Sequence, residues 1–219
     1  MLEAIIRVLA PHYCICCGTE DSLLCDACRM AELRPVPSRC YSCLKLTQDH
    51  AVCKSCRRHG PLANVWAGAE YTEIPKQLIH RLKFERARAG HVPIAKQLHE
   101  TLPYHAFTVV PIPTATSRMR QRGYDQSKLI ARQFALLRQL PYQELLERRG
   151  QARQVGAERA VRMSQAQSFF QAKPRVSFPK TVLLIDDVLT TGATVQAAAK
   201  CLKTAGVRTV YAATFAQKQ

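Results

Sequence analysis

The stretch Val182-Leu-Leu-Ile-Asp-Asp-Val-Leu-Thr-Thr-Gly-Ala-Thr194 decides the fold of this 219-residue chain. Its first four residues are apolar and branched, a pattern that predicts a strand buried on both faces. Two carboxylates, Asp186 and Asp187, follow at the point where that strand leaves its sheet. A turn rich in threonine and glycine comes next, and residues 195–205 favour helix. The stretch therefore predicts a strand, a turn and a helix in succession.

The turn has the chemistry of a phosphate site. A helix N-terminus offers unpaired N–H groups and a partial positive charge. Gly192 lets the backbone come close to a ligand, and the hydroxyls of Thr190, Thr191 and Thr194 add donors. The paired acids suit sugar hydroxyls, or a magnesium ion held through water. An ordinary turn with a helix cap needs only one aspartate and one threonine, so the surplus favours a ligand site.

A similar unit precedes this one. Thr108–Pro113 predicts an apolar strand that stops at its prolines, which cannot donate to a ladder. Arg118–Ser127 follows as a loop suited to anions, and residues 129–140 predict an amphipathic helix. Upstream, an edge strand is expected at residues 65–71 and helices at 74–84 and 91–102. The alternation predicts an α/β fold with a parallel sheet flanked by helices, and ligands at the carboxyl ends of its strands.

The N-terminal part is dominated by cysteine. Eight of the ten cysteines form four Cys-x-x-Cys pairs: Cys14/Cys17, Cys25/Cys28, Cys40/Cys43 and Cys53/Cys56. Each pair suits tetrahedral zinc, so four pairs predict two structural sites with four thiolates each. Disulfides are disfavoured, because the chain lacks an export signal and the spacing is that of metal knuckles. Sequential and interleaved pairings are both open, and the shorter loops favour the sequential one.

Composition divides the chain and points to its partners. Gly60 and Pro61 mark a boundary, which predicts a zinc module at residues 1–60 and a larger domain at 61–219. The 32 Lys and Arg against 16 Asp and Glu give a net charge of +16, which favours polyanionic ligands or partners, including nucleic acid. The sequence has no long uncharged apolar run, so no membrane insertion is expected.

Residues 147–162 lack an apolar period and predict an exposed loop. Its arginines are nucleic-acid candidates: Arg148, Arg149, Arg153, Arg159 and Arg162. The loop either contacts nucleic acid or closes over a site, and a plain solvated loop is the alternative.

The motif IDDVLTTGAT resembles the signature of the type I phosphoribosyltransferases, which bind 5-phosphoribosyl-1-pyrophosphate (PRPP). The resemblance implies that Asp186 and Asp187 meet the ribose 2- and 3-hydroxyls and that residues 190–194 cradle the 5-phosphate, with Mg²⁺ present. The implied PRPP-binding set is Asp186, Asp187, Leu189, Thr190, Thr191, Gly192, Ala193 and Thr194.

The chain as a whole is similar to the competence protein F (ComF) family. The likeness rests on the double Cys-x-x-Cys head, His80-Arg-Leu-Lys-Phe84, Val110-Pro-Ile-Pro113, Arg122-Gly-Tyr-Asp-Gln-Ser127 and the PRPP-type motif. It implies a cytoplasmic protein of DNA uptake during natural transformation, with single-stranded DNA and a helicase-type protein as partners. It also implies a pocket for PRPP or a ribose-5-phosphate-like ligand.

Two functions compete. In the first, the protein binds PRPP and single-stranded DNA during uptake, with Tyr41, Tyr124 and Phe84 as candidate stacking residues. In the second, it is an active phosphoribosyltransferase that transfers ribose-5-phosphate to an unknown acceptor. Lys83, Arg118 or Arg122 would then hold pyrophosphate, and the motif offers no evident general base. A zinc adaptor with a vestigial pocket is the weakest hypothesis, because it leaves the acid pair unexplained.

Overall fold

The structure is a computed structural model that describes residues 12–148 and 169–218. The strands are β1 (Leu62–Glu70), β2 (Thr108–Pro111), β3 (Leu146–Arg148), β4 (Phe170–Ala172), β5 (Thr181–Leu189) and β6 (Thr209–Gln217). The helices are α1 (Asp26–Glu32), α2 (Lys54–His59), α3 (Glu73–Phe84), α4 (His91–Thr101), α5 (Thr116–Arg122), α6 (Gln126–Arg138) and α7 (Ala193–Thr204). A 3₁₀ turn at Arg88–Gly90 joins α3 to α4.

Within the described residues, four strands form a parallel sheet in the order β1-β6-β5-β2, and β3 pairs with β4 as an antiparallel hairpin. Side chains alternate along β5, so Leu183 and Ile185 face one buried cluster while Val182 and Leu184 face the other. Helices α3, α4 and α6 cover the first face, and α7 and the hairpin cover the second. The parallel sheet flanked by helices is the fold class that the sequence predicts.

Strand β5 extends beyond its neighbour β2, and the acid pair therefore has no strand partner on that side. Strand β2 pairs with β5 only as far as Pro111 and Ile185, and the Ile112 N–H donates to the Ile185 carbonyl at 3.0 Å. Strand β5 continues to Leu189 because β6 runs beside it throughout. The strand is thus longer than residues 182–185, and Asp186 and Asp187 lie within it, beyond the end of β2.

Two segments differ from their expected structure. Residues 116–122, most of the basic part of the predicted anion loop, form helix α5, which ends at Gly123 in a left-handed conformation (φ 82°). Arg148 belongs to β3 and not to an exposed loop, because Leu146 is buried in the core and Arg148 pairs with Phe170. Short polar segments such as these carry little periodicity, so the contacts that order them are not visible in the sequence.

The cysteine-rich segment forms two small ribbons, which pack on opposite faces of the sheet. The first ribbon (residues 13–33) contributes Leu23 and Leu24 to the cluster under α3 and α4, and the second ribbon (residues 39–59) contributes Cys40 and Val52 to the cluster under α7. The boundary expected at residue 60 falls between α2 and β1.

The segment between the two ribbons and part of the second ribbon run along the outer edge of β1. The Glu70 N–H donates to the Arg34 carbonyl at 2.9 Å, and the Val52 N–H donates to the Ala63 carbonyl at 2.8 Å. The opposite edge of the sheet is also paired, since Val109 of β2 bridges to Tyr142. Hydrogen bonds from connecting segments thus reach both outer strands.

Candidate functional site

Two distant motifs converge on Asp187. Lys83, in the last turn of α3, places its Nζ 2.7 Å from Asp187 Oδ1. Gln126, the first residue of α6, donates from Nε2 to Asp187 Oδ2 at 3.0 Å. Arg122 in turn donates from Nη1 to Gln126 Oε1 at 2.8 Å. Asp187 is buried, so its charge is balanced by Lys83 inside the fold and not by solvent.

Asp186 has a different environment from its neighbour. Its Oδ1 accepts from Ser127 Oγ at 3.1 Å and from the Asp187 N–H at 2.9 Å. Burial raises the pKa of Asp186 to about 7, and the adjacent Asp187 carboxylate adds to the rise. The half-buried Asp186 can therefore exchange a proton near neutral pH, which an ordinary aspartate cannot do.

Asp125 holds the start of α6 in place. Its carboxylate accepts from the Thr114 N–H at 2.9 Å and from Thr114 Oγ1 at 3.1 Å, which ties α6 to the segment after β2. It also caps the helix by accepting from the Lys128 N–H at 3.3 Å. This brace orients Gln126 and Ser127 toward the two acids. Their motif was singled out in the sequence, but its consecutive residues gave no sign that each binds a different acid.

The threonine-rich turn leads directly into α7. Leu189 is buried at the end of β5, whereas Thr190, Thr191, Ala193 and Thr194 are exposed. Gly192 adopts a left-handed conformation (φ 77°) at the N-cap of α7. Gly192 has no side chain that could cap the helix, and Thr191 Oγ1 accepts from the Ala193 N–H at 3.4 Å. The helix start and its exposed threonines suit a phosphate, which N–H groups and hydroxyls can bind.

The other candidate residues are spread more widely. Lys83 and Arg122 belong to the acid-pair network, whereas Arg118 is exposed on α5. Phe84 is 61% exposed, with the Arg122 guanidinium carbon 5.3 Å from its ring centre. Tyr124 is buried and donates to the Leu82 carbonyl, so its ring is not available for stacking.

The nucleic-acid candidates are described only in part. The Arg148 guanidinium lies 5.4 Å from the centre of the Phe170 ring on the β3–β4 hairpin. Arg149, Arg153, Arg159 and Arg162 lie outside the described residues. The DNA-contact hypothesis for these arginines thus stays a prediction.

The eight paired cysteines form two four-thiol clusters. One consists of Cys14, Cys17, Cys25 and Cys28, and the other of Cys40, Cys43, Cys53 and Cys56; within each, all Sγ atoms lie within 4.8 Å of one another. The Cys17–Cys25 and Cys43–Cys53 sulfurs are 3.7 and 3.6 Å apart. Tetrahedral zinc with its usual Zn–S bond gives a sulfur separation of about 3.8 Å. The pairing is sequential, as the loop lengths favoured, and none of the ten cysteines, all of which lie in the described residues, forms a disulfide.

The thiols of the first cluster have pKa values shifted in opposite directions. Burial opposes ionisation of Cys14, but hydrogen bonds from the backbone N–H groups of Cys17 and Cys25 outweigh it and lower the pKa to about 6. Hydrogen bonds with Cys25 and Cys17 raise the pKa of Cys28. Four thiols this close cannot all ionise unless a positive charge lies between them. The donors fit Zn²⁺, and a closed set of four ligands indicates a structural role.

Arg29 is a residue whose role the sequence did not reveal. It is only 3% exposed, and its guanidinium donates two hydrogen bonds of 2.6 Å to Glu100 and one of 2.9 Å to Gln97. These contacts attach the first ribbon to α4. In a chain with so many cations, one arginine beside a cysteine knuckle carries no signal that it is buried.

Comparisons with known proteins agree with this architecture. The phosphoribosyl transferase domain family matches residues 92–219. Competence protein ComFC of Streptococcus pneumoniae is 30% identical over 87% of this chain and 86% of its own length. ComFC of Bacillus subtilis is 27% identical over 83% and 78%, and competence protein F of Haemophilus influenzae is 27% identical over 85% and 87%. No helix in the described residues has the length and apolar character needed to cross a membrane. The chain belongs to the competence protein F (ComF) family and contains a phosphoribosyl transferase domain.

Proposed function

We propose that this protein acts in DNA uptake during natural transformation and binds PRPP, or a ribose-5-phosphate-like ligand, together with Mg²⁺. One observation carries the ligand part of the proposal: Lys83, Gln126 and Ser127, from two separate motifs, converge on Asp186 and Asp187. An ordinary strand–turn–helix connection does not need a cation and two hydrogen-bond donors to converge on paired acids. The names of the competence relatives support the uptake part.

The proposed ligand lies along the carboxyl end of β5. The two acids accept hydrogen bonds from the ribose hydroxyls, and the turn at residues 190–194 holds the 5-phosphate at the start of α7. A pyrophosphate on the same ribose brings its charge toward Lys83, which contacts Asp187, and toward Arg122, which contacts Gln126. Mg²⁺ neutralises the pyrophosphate and is held partly by water.

Single-stranded DNA is the proposed macromolecular ligand. The net charge of +16 supports a polyanion, and phosphate contacts of this kind weaken steeply as salt rises. The arginines at positions 148, 149, 153, 159 and 162 are the proposed contacts. A helicase-type partner and a cytoplasmic location complete the proposal. The zinc clusters contribute structure, since their ligand sets leave no open position.

Calorimetric titration of the full-length, zinc-loaded chain with PRPP and MgCl₂ tests the ligand site. We expect saturable binding that Asp187→Asn weakens at least tenfold. Glu144→Gln is the matched control, because Glu144 is also an ion-paired carboxylate but contacts Lys128, Arg132 and Lys173 instead. Equal affinity in wild type and Asp187→Asn would remove the acid pair from the proposal.

A second titration with a fluorescent single-stranded oligonucleotide tests the DNA part. Reversing charge at Arg148, Arg149 and Arg153 together should weaken binding and flatten its dependence on salt. If the triple variant binds as tightly as wild type, this surface is not the DNA site. Adding PRPP during the DNA titration measures whether the two ligands are coupled.

An active phosphoribosyltransferase is the second candidate, favoured by one specific observation. A carboxyl whose pKa is raised to about 7 suits a general base at neutral pH, and Asp186 is such a group. Pyrophosphate release that depends on an added acceptor, and is lost in Asp186→Ala, would establish turnover. Binding of PRPP without release, across nucleobase and nucleic-acid acceptors, would decide against it.

A further inference from the structure

Tyr41 of the second ribbon lies against the glycine of the phosphate turn. A Cβ built on Gly192 would lie 2.8 and 2.9 Å from the Tyr41 Cε2 and Cδ2 atoms, closer than real Cβ atoms approach a ring. The tyrosine ring therefore occupies the space that any other residue at position 192 would need. Gly192 also has a φ of 77°, so glycine is required there for two independent reasons.

The tyrosine is held at both of its ends. Its backbone lies in the Cys40–Cys43 knuckle, where Cys40 is 0% exposed and the Leu44 N–H donates to the Cys40 carbonyl at 2.8 Å. At the other end its ring lies against Gly192, the residue that begins α7.

The first ribbon provides the contrast. Its knuckle runs Cys14-Ile-Cys-Cys17, so Ile15 stands where the second ribbon has Tyr41. Ile15 packs against the buried cluster on the opposite face of the sheet, away from α7. The two ribbons share a metal geometry, but only the second touches the turn.

We infer that Tyr41 is a positioning residue that holds residues 190–194 in their anion-binding shape, so that metal loading of the second cluster and phosphate binding at the turn are coupled. The inference rests on the proposed function of that turn. Metal orders the knuckle, the knuckle fixes the ring, and the ring restricts Gly192. Because linkage is reciprocal, a phosphate ligand in the turn also tightens metal binding by Cys40, Cys43, Cys53 and Cys56.

The test compares Tyr41→Ala, Tyr41→Phe and Ile15→Ala in the full chain. PRPP with MgCl₂ is the probe for binding, zinc content reports the clusters, and hydrogen exchange of residues 189–196 reports the turn. We expect Tyr41→Ala to weaken PRPP about tenfold and to speed exchange in that segment, with two zinc ions retained. Tyr41→Phe keeps the ring and should recover most of the affinity. Ile15→Ala should leave both readouts at the wild-type level.

Zinc transfer to a chelator supplies the reciprocal readout. PRPP should slow release of one zinc ion in wild type and have no such effect in Tyr41→Ala. Wild-type PRPP affinity and unchanged exchange in Tyr41→Ala would overturn the inference while the proposed function stands. Failure of the wild type to bind PRPP would overturn the proposed function and this inference with it.

Discussion

The first and second ribbons have almost the same backbone. The Cys14 N–H donates to the Thr19 carbonyl and the Cys40 N–H donates to the Lys45 carbonyl, both at 2.8 Å. A short helix follows the third ligand cysteine of each ribbon, and the first ligand cysteine of each has a pKa lowered to about 6, because backbone hydrogen bonds outweigh its burial. Local spacing is therefore enough to build the metal site twice.

The ribbons differ in how they contact the rest of the protein. The first is attached to α4 through the buried Arg29 and its bonds to Glu100 and Gln97. The second is attached to α7 through Tyr41, which lies on Gly192. Ligand geometry gives the two clusters one chemistry, whereas the non-ligand residues of each ribbon, among them Arg29 and Tyr41, give it a different place in the fold. The comparison shows that the residues that bind zinc and the residues that attach each ribbon to the rest of the protein are different.

Loss of metal should have the largest effect, and it tests whether the ribbons differ at all. Stripping zinc with a chelator should remove roughly 10 kcal/mol of folding free energy from each cluster. Cys17→Ser and Cys43→Ser remove one exposed ligand each, so that each variant tests one cluster alone. Both should lower the thermal midpoint, but only Cys43→Ser should also weaken PRPP. An equal loss of PRPP affinity in the two variants would show that the two ribbons affect the PRPP site alike.

A smaller effect on stability is expected when the glycine of the first ribbon and the glycine of the threonine-rich turn are each replaced by alanine. Gly18 and Gly192 both have positive φ, 75° and 77°, but only a Cβ at position 192 would meet another side chain. We expect Gly18→Ala to cost about 1 kcal/mol from backbone strain and Gly192→Ala about 2–3 kcal/mol from strain and overlap.

Urea unfolding of Gly192→Ala, Tyr41→Ala and the double variant measures the overlap. The double variant should be more stable than the sum of the single changes predicts, because removing the ring frees the space. Additive effects would show that Tyr41 and the added methyl group do not interact.

Arg29→Ala should destabilise the first ribbon by about 2 kcal/mol, because hydrogen bonds to the charged Glu100 are lost and Gln97 Oε1 loses the Arg29 donor. Urea unfolding with zinc held in excess measures this. Glu100→Gln is the control, and it should cost less because Glu100 is half exposed and water can replace part of the contact. PRPP affinity should not change in either variant; a loss would mean that the first ribbon also reaches the turn.

Leu44→Gly should give the smallest effect and the opposite sign. Leu44 has a φ of 60° and is 55% exposed, while the first ribbon has Gly18 at the matching position. Relief of left-handed strain should stabilise the protein by about 0.5–1 kcal/mol, after the greater entropy of unfolded glycine is included. A lower urea midpoint would mean that the leucine side chain contributes more than its exposure suggests.

Much of this molecule can be predicted from local sequence. Cysteine spacing predicts both clusters, loop length favours their sequential pairing but leaves the interleaved one open, and the acid pair with its threonine turn marks the carboxyl end of β5. Periodicity places the longer helices within a few residues. These features depend on neighbours in the chain, so the information for each is contained in a short window.

Contacts between distant segments could not be predicted in the same way. The length of β5 depends on β6 beside it. Because β2 is short, Asp186 and Asp187 have no strand partner on the β2 side. The burial of Arg29 depends on α4, and the place of Tyr41 depends on Gly192. Each of these depends on which surfaces meet after folding, and hydrophobic pattern and motif spacing do not specify that.

The hydrogen bonds along β1 have a consequence for solubility. A bare edge strand offers unpaired N–H and C=O groups on which another chain can add a strand. Here His50 and Val52 of the second ribbon occupy that edge through bonds to Val65 and Ala63, and Asp49 accepts from the Trp66 indole at 3.0 Å. Because metal binding orders the second ribbon, we expect loss of metal to leave the outer edge of β1 without these hydrogen bonds. Zinc-depleted protein should therefore form β-rich aggregates, so that metal supply protects this protein from self-association.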